Sequence, residues 1–443
     1  MMPSVGLESV HDTGTSSRLP WVVGVVTGVT VVGCVAGPRA AAGFVLLFAG
    51  VAALINLRAH GFGAHAFKVT QITALLLALC AYVFVNVSWS LIPQAAFAKA
   101  TILLAIVLVS QFAVFWVLRQ EGEVLTALGR GLLIGYGLAA LFIAFEILTE
   151  QAATRLLLNT FEFLCPDSQK HHRITNGEVI LIGTYDRNRS VAVLNLLFWS
   201  AAGVWSALAQ PRWRWPILGL AGACLVIATF GSVHEASKVA LLAGLVVFAI
   251  CRLSLPLARV LVGAAWIVAC LFAVPIASGL YGAELHKAEW LPRSARSRVI
   301  VWGVTAERTW RNPIFGVGVN STREIDRRAK EAAGGPLDHL GTPRTGRHAH
   351  NVFVQTWFEL GAVGALLLLA VGLAMLRALA RTHESVQPVC FASFAVAMGI
   401  ATFSWGMWQT WFQAAFAVTA IMLSIAVRLS QNSGSSGQSV EVA

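Results

Sequence analysis

Long apolar runs dominate this chain, separated by polar breaks. They fall at about 20–37, 40–57, 69–91, 97–118, 125–148, 190–209, 215–231, 235–251, 255–279, 351–376, 388–405 and 408–428. A helix that crosses the hydrocarbon core of a bilayer needs roughly 20 apolar residues. The pattern therefore predicts an all-α, polytopic integral membrane protein with about 12 transmembrane helices. The first two runs are short, and only a brief polar break separates 215–231 from 235–251.

The polar positions divide the chain. Residues 1–19 read as a cytoplasmic tail, since no basic stretch precedes a small-residue cleavage site. Residues 20–279 hold helices one to nine, with an outer loop at about 149–189. A large periplasmic loop follows at 280–350, then the last three helices at 351–429 and a polar, disordered cytoplasmic tail at 430–443. Within the large loop, "SARSRVIVWGVTAERTWRNP" places Val299, Trp302, Ala306 and Trp310 at helical spacing before Asn312-Pro313 ends the pattern. This predicts an amphipathic helix lying on the membrane face. "NPIFGVGVNS" reads as a tight glycine-rich loop.

An even number of spans puts both termini on one side. If that side is the cytoplasm, the inner connections carry Arg58, Lys68, Arg119, Arg130, Arg212, Arg214, Arg252, Arg259, Arg377 and Arg381, with Arg18 and Arg428 at the ends. The short outer connections carry little beyond Arg39. That alternation follows the positive-inside rule, which long translocated loops escape. That orientation puts the two long loops on the outer face of the membrane.

Composition agrees with this picture. Of the 443 residues, 57% are hydrophobic and 12% charged, against about 25% charged in soluble domains. The net charge of +11 is scattered between apolar runs, which argues against nucleic acid and for loop orientation and anionic, phosphate-bearing substrates. Six of the seven cysteines lie inside apolar runs and Cys165 is alone in a polar loop, so neither a disulfide framework nor a CxxC metal site is expected.

Four places can carry chemistry. His350 and Asn351 stand at the start of an apolar helix, with Val354, Trp357, Gly361 and Gly364 following on roughly one face. The glycines would let another helix approach. His350 is either an interfacial anchor or a general base at the mouth of an outer cavity, and from this stretch alone the two readings stand level. His348 is its rival. Arg187 and Arg189, in "TYDRNRSVAVLNLLF", either snorkel to lipid phosphates or form a fork-shaped clamp on pyrophosphate. Glu235 and Lys238 interrupt "SVHEASKVALLAGL", as intramembrane functional charges or as a solvated hairpin. Arg296 and Arg298 precede Trp302, and alone they read as lipid-facing basic residues. No P-loop, HExxH, DxD-type pair or paired outer carboxylates are present. ATP hydrolysis, nucleotide-sugar chemistry and glycoside hydrolysis therefore find no support.

Three stretches together resemble the bacterial O-antigen ligases, within a superfamily that also holds O-antigen polymerases. They are "HNVFVQTWFELGAVG" (350–364), "SRVIVWGVTAERTWRNPIFGVGVNS" (297–321) and "VSWSLIP" (87–93). The resemblance spans about 70–380 and departs at Ser237-Lys238, where family members often carry Ser-Arg. It implies a GT-C-like, metal-independent, inverting glycosyltransferase without a cofactor. The donor would be a glycan on undecaprenyl pyrophosphate, and the acceptor a sugar hydroxyl of lipid A–core, both within membrane lipids. His350 would be catalytic, with Arg187, Arg189, Arg298, Lys238 and Asn351 binding the pyrophosphate or glycan. An O-antigen polymerase is the nearest alternative. A protein O-oligosaccharyltransferase is more distant, as is a glycolipid transporter, for which no internal repeat is evident.

Overall fold

A computed structural model describes residues 18–60, 69–161, 172–175, 178–183, 187–333 and 344–437. Each of the twelve apolar runs is a helix: α1 (Arg18–Ala36), α2 (Ala41–His60), α3 (Gln71–Asn86), α4 (Pro93–Val117) and α5 (Gly122–Leu148) come first. After the outer segment, which holds α6 (Ala152–Thr160) and the antiparallel strands β1 (His172–Thr175) and β2 (Glu178–Ile182), come α7 (Asn188–Leu208), α8 (Pro211–Gly231), α9 (Glu235–Leu253) and α10 (Leu255–Gly282). The large loop contributes α11 (Arg293–Thr309) and α12 (Ser321–Ala332), and α13 (Val352–Ala380), α14 (Gln387–Phe403) and α15 (Thr410–Gly437) complete the bundle. Among the described residues ten helices are long and apolar enough to cross a membrane, while Trp215–Gly231 and Gln387–Phe403 are shorter apolar helices. The protein is an all-α polytopic membrane protein.

Local chemistry explains the boundaries. Prolines open α4, α8, α10 and α14, where the missing N–H costs nothing. Thr70, Ser254 and Asn351 cap α3, α10 and α13 by accepting backbone N–H bonds. The helices then pair tightly. α1 packs on α5, α9 on α14, α7 on α15, and α10 on both α11 and α13. At the α1–α5 crossing, Gly131 faces the Gly24 carbonyl so closely that a Cβ would collide with it, the small-residue packing that stands in for hydrophobic drive in lipid. Large apolar side chains such as Trp21, Ile134, Leu220 and Val260 remain exposed, as suits lipid-facing surface.

Several details differ from expectation. The outer segment contains a two-stranded hairpin, too short and irregular for the apolar pattern to announce. α11 does not offer its apolar stripe to lipid. Val299, Trp302 and Ala306 are buried, and α11 packs against α10 and α13. Only Trp310, at the end of the stripe, is 59% exposed. α15 continues to Gly437, so much of the expected disordered tail is helical. Residues 1–17, Lys68, Cys165 and 438–443 lie outside the described residues. The other six cysteines are buried and free.

The break in α13 governs the functional end. At Gly361 the backbone leaves the helix, with φ +65° and ψ −164°. The loop after α11 fills the gap: Val317 N donates to Phe358 O at 2.9 Å, Gly318 N to Glu359 O at 3.0 Å, and Ala362 N to Pro313 O at 2.8 Å. Backbone groups freed by the break are thus re-satisfied by the loop, the condition for irregular backbone at membrane depth. Gly316, with φ +72°, lies against Glu359, and Gly361 lies against Ile314 O, leaving no room for a Cβ at either. The expected helix–helix contact at Gly361 is therefore a loop–helix junction.

Candidate active site at one end of the bundle

Glu359 locks that junction. Its carboxylate is fully buried and accepts from Asn320 N at 2.7 Å, Thr322 N at 3.2 Å and Gln355 Nε2 at 3.2 Å, with further bonds from the Thr322 hydroxyl and the Trp408 indole N–H. From α3, Asn86 Nδ2 donates to Phe315 O at 2.9 Å while its Oδ1 accepts from Val319 N at 2.7 Å. Ser90, in the "VSWSLIP" stretch, donates to Val319 O at 2.8 Å. The motif residues of three distant stretches thus build one rigid platform.

His350 stands on that platform, in left-handed backbone with φ +54°. Its Nδ1 lies 2.7 Å from Ser404 O. A carbonyl oxygen only accepts, so Nδ1 carries a proton, and in the neutral form of the ring the lone pair is on Nε2. The ring sits 4.0 Å from that of His348. Gln409 Nε2 lies 3.3 Å from His348 Nε2, while His348 Nδ1 is buried without a partner among the described residues. Burial, then the charges of His350 and Arg347, hold the His348 pKa well below the usual imidazole value.

A third histidine, His234, completes the cluster. It sits at the turn between α8 and α9, is 4% exposed, and stacks on Trp405 at 4.5 Å. Its Nδ1 is 2.7 Å from Ser237 Oγ and its Nε2 is 3.4 Å from Ser404 Oγ. Ser404 therefore touches both His234 and His350, one through its side chain and one through its carbonyl. Burial, assisted by Arg298 and Lys238, pushes the His234 pKa down to about 3, which keeps the ring neutral. Sequence reasoning passed over His234. Its signal was a histidine at a polar break between two apolar runs.

The positive charges divide sharply. Arg298, half-buried on α11, makes no hydrogen bond or ion pair among the described residues. Burial lowers its pKa, and the nearby Glu235 carboxylate partly opposes that shift. The Arg189 guanidinium lies 5.4 Å from the Trp411 ring centre, a cation–π distance. Trp411 is edge-on to Trp405 at 4.6 Å and donates to Gln409 Oε1 at 2.7 Å. Arg189 is thereby joined to the histidines through the α14–α15 turn. Lys238 pairs with Glu235 at 2.9 Å, both partly exposed, so much of its charge is already matched.

Two expected substrate contacts are otherwise engaged. Arg187 is buried, pairs with the fully buried Glu146 at 2.7 Å, and bonds Gln151 Oε1 at 3.1 Å and the Thr154 hydroxyl. It fastens the outer segment to α5, because a buried carboxylate demands a counter-charge. Asn351 Oδ1 accepts from Phe353 N at 2.9 Å and Val354 N at 3.0 Å; it caps α13. Arg344 pairs with buried Asp326 at 2.9 Å and ties α12 to the segment leading to His350. Trp302 Nε1 holds that same segment by donating to Ala349 O at 2.7 Å. Among the described residues no three His, Cys, Asp or Glu side chains gather where they could hold a metal ion.

An apolar cavity of about 600 Å³ runs between α9, α10, α13 and α14. Asn351, Trp302, Thr402 and Phe403 line one part of it, next in sequence to His350 and Ser404.

Comparison with known proteins fits this architecture. One relative, from Rickettsia conorii and named "Putative polysaccharide ligase", is 23% identical over 141 residues, covering 30% of this chain and 33% of that protein. The match thus spans about a third of the relative's length. Residues 222–369 match the O-antigen ligase family. That range contains His234, Lys238, Arg298, His350, Glu359 and the Gly361 break, and leaves Arg189 and the Trp405–Trp411 turn outside. Residues 222–369 of this multi-pass α-helical membrane protein are thus similar to the O-antigen ligase family.

Proposed function

We propose that the protein is an O-antigen ligase, moving a glycan from undecaprenyl pyrophosphate to a sugar hydroxyl of lipid A–core. The observation that carries this reading is the contact between His350 Nδ1 and Ser404 O. With Nδ1–H held by Ser404 O at 2.7 Å, Nε2 is the nitrogen that accepts a proton, as a general base requires.

In this reading the acceptor hydroxyl gives its proton to His350 Nε2. The alkoxide oxygen forms a bond to the anomeric carbon as the bond from that carbon to the pyrophosphate oxygen breaks. The electron pair leaves on the pyrophosphate, and the anomeric centre inverts. Arg298 and Arg189 stabilise the growing negative charge in a site whose donors are already in place. Arg187 has no part in this step, since its charge is spent on Glu146. Lys238 contributes at most a secondary charge beside Arg298. The apolar cavity takes the first part of the polyprenyl chain, and lipid A–core approaches from the same leaflet.

The arginine distribution supports placing this end of the bundle in the periplasm and the termini in the cytoplasm. The ends of the helices opposite His350 carry Arg58, Arg119, Arg130, Arg252, Arg259, Arg377 and Arg381, as the positive-inside rule expects of a cytoplasmic side.

Gene deletion read on a lipopolysaccharide gel tests the reading. A ligase predicts loss of all polymer-bearing lipid A, with polymer accumulating on the lipid carrier. A core bearing a single repeat unit would assign the chain to polymerisation instead.

A further inference from the structure

At the end of the bundle away from His350, a crevice of about 490 Å³ opens between α3, α10 and α13. That volume lies within the roughly 300–1,000 Å³ of small-molecule sites. Its walls are aliphatic and aromatic, including Leu75, Leu373 and Phe391, but its lining also includes two guanidiniums, Arg259 and Arg377, and no carboxylate. Arg259 bonds the neutral amide oxygen of Gln387 at 2.6 Å and 3.2 Å. Neither arginine has an ion-pair partner among the described residues. Gly263 adds no side chain to the lining, and a Cβ there would meet only open space.

The placement is unlike that of Arg428 at the same end. Arg428 is matched by the Glu121 carboxylate. Arg259 lies near the start of α10 and Arg377 near the end of α13, so both stand where the hydrocarbon core gives way to head groups. A basic pocket between transmembrane helices recognises anionic head groups, and the adjoining apolar wall suits acyl chain. A soluble anion would gain the charges and leave that wall uncovered.

We propose that this crevice binds an anionic phospholipid of the leaflet opposite the His350 cluster. Its phosphate lies between Arg259 and Arg377, and the upper part of one acyl chain rests on Leu75, Leu373 and Phe391. The proposal does not depend on the reaction assigned to the other end.

Native mass spectrometry of the full-length protein, released from vesicles of equal phosphatidylglycerol and phosphatidylcholine, tests it. The wild type is expected to retain phosphatidylglycerol in preference to phosphatidylcholine. The double variant R259Q/R377Q should lose that preference by roughly 30-fold, the effect of two basic residues on an anionic lipid. R259K/R377K should keep most of it, because the charges remain. If the glutamine variant unfolds, the lysine variant still decides, together with competition by millimolar inorganic phosphate. Equal retention of the two lipids by the wild type, unchanged retention by the glutamine variant, or displacement by inorganic phosphate would each overturn the proposal.

Discussion

His350 stands just before α13, and Glu359 lies two turns inside it. Both are titratable, and both sit in the stretch that is similar to the O-antigen ligase family. Their surroundings differ. Glu359 is fully buried and accepts hydrogen bonds from five donors on three parts of the chain. His350 is half-buried, in left-handed backbone, with its Nδ1 fixed on a carbonyl and its neighbours His348 and His234 held neutral. A saturated group has nothing left to offer a substrate, so Glu359 holds the loop–helix junction. A ring oriented through Nδ1 can exchange a proton at its other nitrogen. The same contrast separates Arg187, neutralised by Glu146, from Arg298, which makes no ion pair among the described residues.

The contrast can be broken by exchanging effects on activity for effects on stability. His350→Ala should lower glycan transfer by about 10²–10⁴-fold while the protein inserts and unfolds at the wild-type temperature. Near-normal transfer in cells would remove His350 from the chemistry. Glu359→Ala should do the reverse. It strands the N–H groups of Asn320, Thr322 and Trp408, each worth about 1–3 kcal/mol when unsatisfied. The purified variant should melt several degrees earlier, with activity falling only as the folded fraction falls.

The arginine pair sharpens the same point with smaller effects. Arg187→Gln leaves Glu146 as a buried, unmatched charge and should cost about 3–5 kcal/mol of stability. Arg298→Gln should leave the melting temperature in place and slow transfer by about 10²-fold, the loss of one electrostatic donor. Equal thermal shifts in the two variants would mean that Arg298 is structural as well.

The smallest expected effect concerns pH. The folded pKa of His234, near 3, lies below the free value of about 6.5, so the unfolded chain binds the extra proton first. His234 therefore favours folding fully above pH ~6.5, and that contribution shrinks as pH falls from there towards 3. His348 acts in the same direction. The slope approaches about 1.4 kcal/mol per pH unit for one such histidine. Melting temperature measured from pH 8 to pH 5 should be flat at first and then decline. His234→Gln should lessen the decline, and an identical profile in that variant would exclude His234 as its source.

Much of the bundle was legible because lipid imposes a simple demand: about 20 apolar residues per crossing, with every backbone group satisfied inside the helix. All twelve runs became helices, with prolines and capping residues near the predicted ends. The hairpin β1–β2 was not legible, since four or five residues of mixed polarity carry no sustained period. α11 shows a different limit. Its spacing correctly gave an amphipathic helix, but a hydrophobic stripe looks the same whether it meets lipid or, as here, α10 and α13.

The chain by itself determined the class, the number of apolar helices and the stretches that matter, because hydropathy and turn chemistry act over a few residues at a time. Tertiary structure decided which side chains each polar group meets. Arg187 and Arg189 are two positions apart and identical in type, yet the first faces Glu146 and the second faces Trp411. His234 joins His350 only because α9 and α14 pack together and bring Ser404 between them. Whether a charge is spent or available depends on what the fold places within about 3 Å of it, and those neighbours lie far away along the sequence.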